Sequence, residues 1–158
     1  MRIRSPSTAR FALLAAASCL LLSGNASALD EAGTIKTLKG TASIEREGKK
    51  LAAEPGGKVM VNDRILTAAD STIGITLRDN TLLSAGANST LVLNRFAFDS
   101  TTHAGALDAS VKRGTLAVVS GKIAKASPDK VIFNTPSVAL GVRGTEFIID
   151  AGQRDGDK

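Results

Sequence analysis

The residues of this chain that could do chemistry are few and scattered. His103 is the only histidine, and Asp99 and Ser100 precede it closely. A hydrolytic triad needs a carboxylate that orients the imidazole and an imidazole that reaches the hydroxyl. Side chains three and four apart in one loop rarely adopt that geometry, and no nucleophile-elbow pattern surrounds Ser100. His103 therefore reads as an exposed loop residue, and a histidine-based metal site lacks the further ligands it needs. Asp150, Asp155 and Asp157 stand near Gly152 and Gly156. Calcium loops hold their oxygens at fixed offsets about a turn glycine, and that spacing is not met, so these acids read as a solvated tail. Gly56-Gly57-Lys58 lacks the upstream glycine of a phosphate loop, and Val59 occupies the place of the magnesium-binding hydroxyl. The expectation is a chain that is no enzyme and that carries no metal and no cofactor.

One stretch near the C-terminus concentrates residues that fix backbone shape. Residues 131–150 read as two short strands joined by a turn, with Pro136 presetting one φ and Gly141 and Gly144 permitting positive φ. Arg143 lies between those glycines. A guanidinium drawn into a sheet must be paired and hydrogen-bonded. Arg143 is thus expected to clamp the fold by bonding an acid or turn carbonyls, with a partner contact as the alternative. The clamp predicts that Arg143→Leu lowers the thermal midpoint. An unchanged midpoint with lost partner binding would reverse that ranking. The candidate site is Thr135, Pro136, Gly141, Arg143, Gly144, Thr145 and Phe147. A second candidate is a basic patch of Lys112, Arg113, Lys122, Lys125 and Lys130 directed at anionic envelope polymers. Against it stands the plainer reading of scattered solubilising charge.

The elements that must position these residues begin after a targeting segment. Arg2, Arg4 and Arg10 precede an apolar run from Phe11 to Leu22, and Ala26-Ser27-Ala28 is a small-x-small cleavage signal. A twelve-residue helix spans roughly 18 Å, short of the ~30 Å of a bilayer core. Residues 1–28 are therefore expected to be a cleaved signal peptide of Sec type, giving a periplasmic or secreted protein. Cys19, the only cysteine, lies inside that run. Leu20-Leu21-Leu22 continue past it, which argues against lipoprotein processing there.

Beyond residue 28 the chain carries 17 basic and 15 acidic residues, too balanced for a concentrated nucleic-acid-binding face. It has no tryptophan, no tyrosine and four phenylalanines, so platforms for stacking bases are nearly absent. The core must be built from Val, Ile, Leu and Ala. The expected organisation is a signal peptide over 1–28, an all-β domain over 29–151 and a polar tail over 152–158.

Helical periodicity is absent. Short alternating runs recur, separated by Gly, Asn, Asp and Pro. Strands are expected at 34–38, 41–46, a short return through Leu51 after a turn at 47–50, then 59–61, 64–67, 73–77, 81–84, 91–98, 107–111 and 115–119, followed by the final pair. Residues 121–129 read as a connection. Asp79-Asn80 is a two-residue hairpin turn, since both types tolerate left-handed φ. About ten short strands with tight turns mean an all-β domain, sandwich-like or solenoid-like, and periodicity does not choose between them.

Four blocks in order resemble the FecR domain, a periplasmic regulatory module of Gram-negative bacteria. They are residues 61–67, 77–83, 111–117 and 135–147, the last being the best match. Asn62 and Asn80 stand where that family's pattern has glycine. The resemblance implies a twisted, β-solenoid-like module. Multi-part relatives that signal iron uptake carry a sigma-factor-binding region, a membrane helix and a receptor-contacting segment. Here a cleavable leader and a short C-terminus stand in their place, so the transmembrane relay is not carried over. The expectation is a free-standing exported module, non-enzymatic, that contacts another envelope protein or polymer. The alternative is a structural component that packs with copies of itself. Neither nucleic acid nor a stable membrane anchor is expected as a partner.

Overall fold

A computed structural model of the protein describes residues 30–141 and 145–152. The expected signal peptide, Arg143, Gly144, Asp155 and Asp157 lie outside the described residues. The strands are β1 (Glu31–Lys39), β2 (Ala42–Arg46), β3 (Lys49–Ala52), β4 (Lys58–Met60), β5 (Arg64–Thr67), β6 (Thr72–Leu77) and β7 (Leu82–Ala85). They continue with β8 (Thr90–Phe98), β9 (Gly105–Arg113), β10 (Thr115–Val119), β11 (Val131–Asn134), β12 (Ala139–Gly141) and β13 (Glu146–Asp150). One short helix, α1 (Lys122–Ala126), is followed by a 3₁₀ turn over Pro128–Lys130.

The strands form two sheets with no closed barrel. The first has the order β13-β10-β7-β6-β1-β4, and the second β12-β11-β9-β8-β5-β2-β3. Apart from swaps of β1 with β4 and of β2 with β3, both orders follow the chain. The chain thus lays down two facing layers together as it advances from one end to the other. Layering makes this a sandwich, while the steady advance gives it a solenoid-like progression. Neighbouring strands are antiparallel except for the parallel pair β9 and β11.

Alternation puts one face of each sheet inward. Ile73, Ile75, Leu77, Leu83, Leu116 and Val118 from the first sheet share one core with Ile44, Ile65, Leu91, Leu93, Leu107 and Phe133 from the second. Each fully buried Leu or Ile contributes about 1.5–3 kcal/mol. The core is aliphatic, as the composition requires.

Tight turns need particular residues. Asn62 and Asn80 adopt φ of 69° and 68°. Asparagine enters the left-handed region more readily than other side-chain-bearing residues, which explains how it replaces the family's glycine at both places. Gly40 and Gly114 have φ of 77° and 78°. Each lies against a serine. The amides of Thr41 and Thr115 donate to Ser71 Oγ (2.9 Å) and Ser89 Oγ (3.0 Å). The corner Gly-Thr/Ser is therefore built twice.

Four expectations are corrected. The described residues form 13 strands rather than about ten, because β12 is too short and exposed to show an alternation. The connection after β10 holds a helix: Asp79 Oδ2 accepts from the amide of Ile123 (3.3 Å) and Asp79 O from that of Lys122 (2.8 Å), which satisfies the first turn. Gly141 does not adopt positive φ but lies within β12. Finally, residues 131–150 are not a single pair. β11 pairs with β12 in the second sheet, while β13 crosses to the first sheet and pairs with β10. The turn that closes early is made by Thr135, whose amide donates to Val138 O (2.7 Å) and whose Oγ1 accepts from Val138 N (3.0 Å).

Candidate functional site

The chemically suggestive residues do not converge. His103 is exposed in the loop after β8, and its ring stacks on Phe98 at 6.3 Å. Asp99 turns its carboxylate to the amides of Thr101 (2.8 Å) and Thr102 (3.0 Å). Those bonds, Thr102's first, hold the exposed Asp99 carboxyl below its ordinary range. The amides of Gly56 and Gly57 donate to Ile35 O and Glu54 O, so both are committed within the chain. Asp150 accepts from the amide of Gly152 (2.8 Å). Among the described residues no cluster of three or more His, Cys, Asp or Glu could hold a metal. The basic candidates split. Lys122, Lys125 and Lys130 lie on α1 and the 3₁₀ turn, against the start of β9, where a Cβ on Gly105 would meet Ile123. Lys112 and Arg113 stand at its other end, roughly 24 Å along an extended strand.

The five described residues of the C-terminal candidate site divide between the sheets. Thr135 and Pro136 shape the turn from β11, and Gly141 ends β12. Thr145 accepts at its carbonyl from the amide of Ser120 (2.8 Å). Phe147 points inward from β13 and meets Phe133 of β11 edge to face, with ring centroids 5.4 Å apart. That contact ties the two sheets together at this end and contributes about 0.5–1.5 kcal/mol beyond burial. Val138 (51% exposed), Leu140 (37%) and Ile148 (74%) stand at the same end.

The first sheet has two edges, and they are finished differently. At β4 the narrow pair Gly33–Val59 turns Val59 toward β1, so Lys58 and Met60 present their backbone groups outward. Both are taken. Arg46 Nη2 donates to Lys58 O (2.9 Å), and Met60 N donates to Asp63 Oδ2 (2.8 Å). Asp63 is fully buried and accepts from Arg46 through two bonds of 2.7 Å each. The Asp63 carboxylate raises the Arg46 guanidinium above its already high value. This bidentate pair was not foreseen. Arg46 and Asp63 are 17 residues apart on different elements, and no spacing rule joins them; the one available signal was an acid set between the apolar runs 59–61 and 65–66.

At β13 the pattern is open. The bonds Ser120 N to Thr145 O and Ala151 N to Gly114 O make Val119–Glu146 and Thr115–Asp150 wide pairs, so Phe147 and Ile149 face β10. The backbone groups of Glu146, Ile148 and Asp150 point off the edge, and no described residue pairs with them. Their side chains read acid, isoleucine, acid along the outer face.

Comparisons with known proteins agree with the sequence blocks. No curated protein matches. A solved structure titled "Cell surface anchoring domain" is similar at 21% identity and a TM-score of 0.38, over 39% of this chain and 82% of that one. The family described as "FecR protein" matches residues 63–157. The match begins at the buried Asp63 and takes in both C-terminal edges, while residues 31–60 add four strands to the same two sheets. The chain belongs to the FecR family.

Proposed function

We propose that this protein is a non-enzymatic regulatory or binding module of the bacterial cell envelope that takes up an extended segment of another envelope protein along β13. The observation that carries the reading is the contrast between the edges of the first sheet. At the β4 edge Arg46 and Asp63 bond the outward carbonyl of Lys58 and the outward amide of Met60, while no described residue bonds the outward groups of Glu146, Ile148 and Asp150 at the β13 edge. Unpaired strand groups are a template for another strand. The two acids keep that template from accepting any strand at random and favour one with Lys or Arg on its outer face. Family membership supports a regulatory role, and the leader expected over residues 1–28 supports export. No described helix is long and apolar enough to cross a membrane.

Site-specific photocrosslinking in cells tests this. A photoreactive residue at Ile148 is expected to trap one reproducible envelope protein, and the same residue at Leu51 on β3 is expected not to. Trapping should fall when Glu146 and Asp150 are both changed to Lys. Equal trapping from both positions, or trapping indifferent to the charge change, would refute the edge reading.

A further inference from the structure

The outer face of the first sheet carries no charge across its middle. Register fixes which side chains share it. One row runs Thr37, Gly74, Ser84, Ala117, Ile148 across β1, β6, β7, β10 and β13. The next on that face runs Thr34, Thr76, Leu82, Val119, Glu146. Leu82 is 44% and Ile148 74% exposed. A shallow trough of about 540 Å³ lies over Gly74, Ser84, Gly86 and Ala117, with Thr37 on one flank and Ile148 on the other. Charge returns only at the rims: Lys36 and Lys39 are exposed on β1, Glu146 and Asp150 on β13.

We infer that a second copy of the chain docks on this face, about a two-fold axis that lies in the interface, runs along the strands and passes between Ala117 and Ser84. Shape favours a copy of itself. In a five-position row, a half-turn about that axis sets Ile148 of one copy over Gly74 of the other and Ala117 over Ser84. A protruding side chain meets a residue with none, and symmetry repeats the contact. Charge favours it as well. The same half-turn carries the basic rim of one copy just beyond the acidic rim of the other, with Lys39 beside Asp150 and Lys36 nearer Glu146. Lys39 stands opposite Thr72 and Asp150 opposite Thr115, at the same end of the face, and a half-turn about an axis along the strands keeps them level.

Size sets the strength. Five strands about 4.8 Å apart, each contributing about five residues, make a face of roughly 24 by 17 Å, or ~400 Å² per copy. Two copies then bury ~800 Å² before side chains interdigitate, in the range of weak and transient contacts. The dimer is therefore concentration-dependent, and it suits a protein confined to a small compartment or clustered there by partners. It uses side chains of the face, whereas the proposed partner strand uses backbone groups at the edge; Ser84→Arg fills the trough and leaves the edge intact.

Sedimentation equilibrium of the purified protein from about 1 μM to about 1 mM tests the inference. The expected result is a weight-average mass that climbs from one chain toward two. Ile148→Lys and Ser84→Arg, both at exposed positions, should each weaken association at least ~10-fold while the thermal midpoint stays put. Lys39→Glu and Asp150→Lys should each weaken it, and the double reversal should restore it. A single-chain mass throughout the range, or association undiminished in both trough variants, would overturn the dimer. Failure of the double reversal to recover would overturn the placement of its axis.

Discussion

The two ends of this sandwich solve the same problem in opposite ways. Every open sheet leaves edge strands with unspent backbone groups. At the β4 edge a buried carboxylate and a guanidinium answer them, with Asp63 taking the amide of Met60 and Arg46 taking the carbonyl of Lys58. At β13 no described residue takes those groups, and two acids flank an isoleucine. The difference teaches where the fold spends its polar groups. One end uses them to finish the sheet, while the other keeps the sheet unfinished and protects it only with like charge.

The largest expected effect lies at the closed end. Asp63→Ala leaves Arg46 unpaired and Met60 N without its acceptor, and should cost about 3–5 kcal/mol in denaturant unfolding. A loss below about 1 kcal/mol would mean that the pair does not seal the edge. Next comes the open end. Phe147→Ala removes a half-buried ring and its contact with Phe133, and should cost about 2 kcal/mol by the same measurement, less than a fully buried phenylalanine. If it matched Asp63→Ala, the two ends would be equally structural.

Gly141→Ala should change stability by less than about 0.5 kcal/mol, because a Cβ there meets nothing within 4 Å and φ is not positive. A larger loss would reassign Gly141 to the shape-fixing role first expected of it. The smallest effect is local. The Asp99 carboxyl is held below its ordinary range by the amides of Thr102 and Thr101. A lowered folded-state pKa gives stabilisation that is present above the unfolded value and is lost as pH falls through the folded one. Amide exchange at Thr101 and Thr102, corrected for its intrinsic pH dependence, should therefore quicken below the usual carboxylate range, with little change at either sheet edge. Loosening of β13 in the same window would tie the loop to the open end.

Much of the fold was legible because alternation is a strong signal when one face is wet. Ile73, Ile75 and Leu77 are buried between partly exposed Gly74 and Thr76, as their spacing requires. Asn80 was visible as a turn residue because few side chains share its tolerance of positive φ. The split of residues 131–150 was not legible. Periodicity reports which way side chains point and not which sheet a strand joins, and three-residue β12 has no period to read. The helix after β10 was hidden for a related reason: its first turn is satisfied by Asp79, more than 40 residues earlier. The closing motif was found as a pattern of residue types. What makes its end of the molecule distinctive, the outward backbone of Glu146, Ile148 and Asp150, follows from hydrogen-bond register that no residue type encodes.

Residue-resolved hydrogen exchange of Met60 and Ile148 in the free protein tests the contrast most directly. The amide of Met60, bonded to a buried carboxylate, should be protected by several orders of magnitude, and that of Ile148 should exchange within about tenfold of an unstructured chain. Comparable protection at both would show that the β13 edge is already covered and would contradict its proposed role as the place where a partner strand adds.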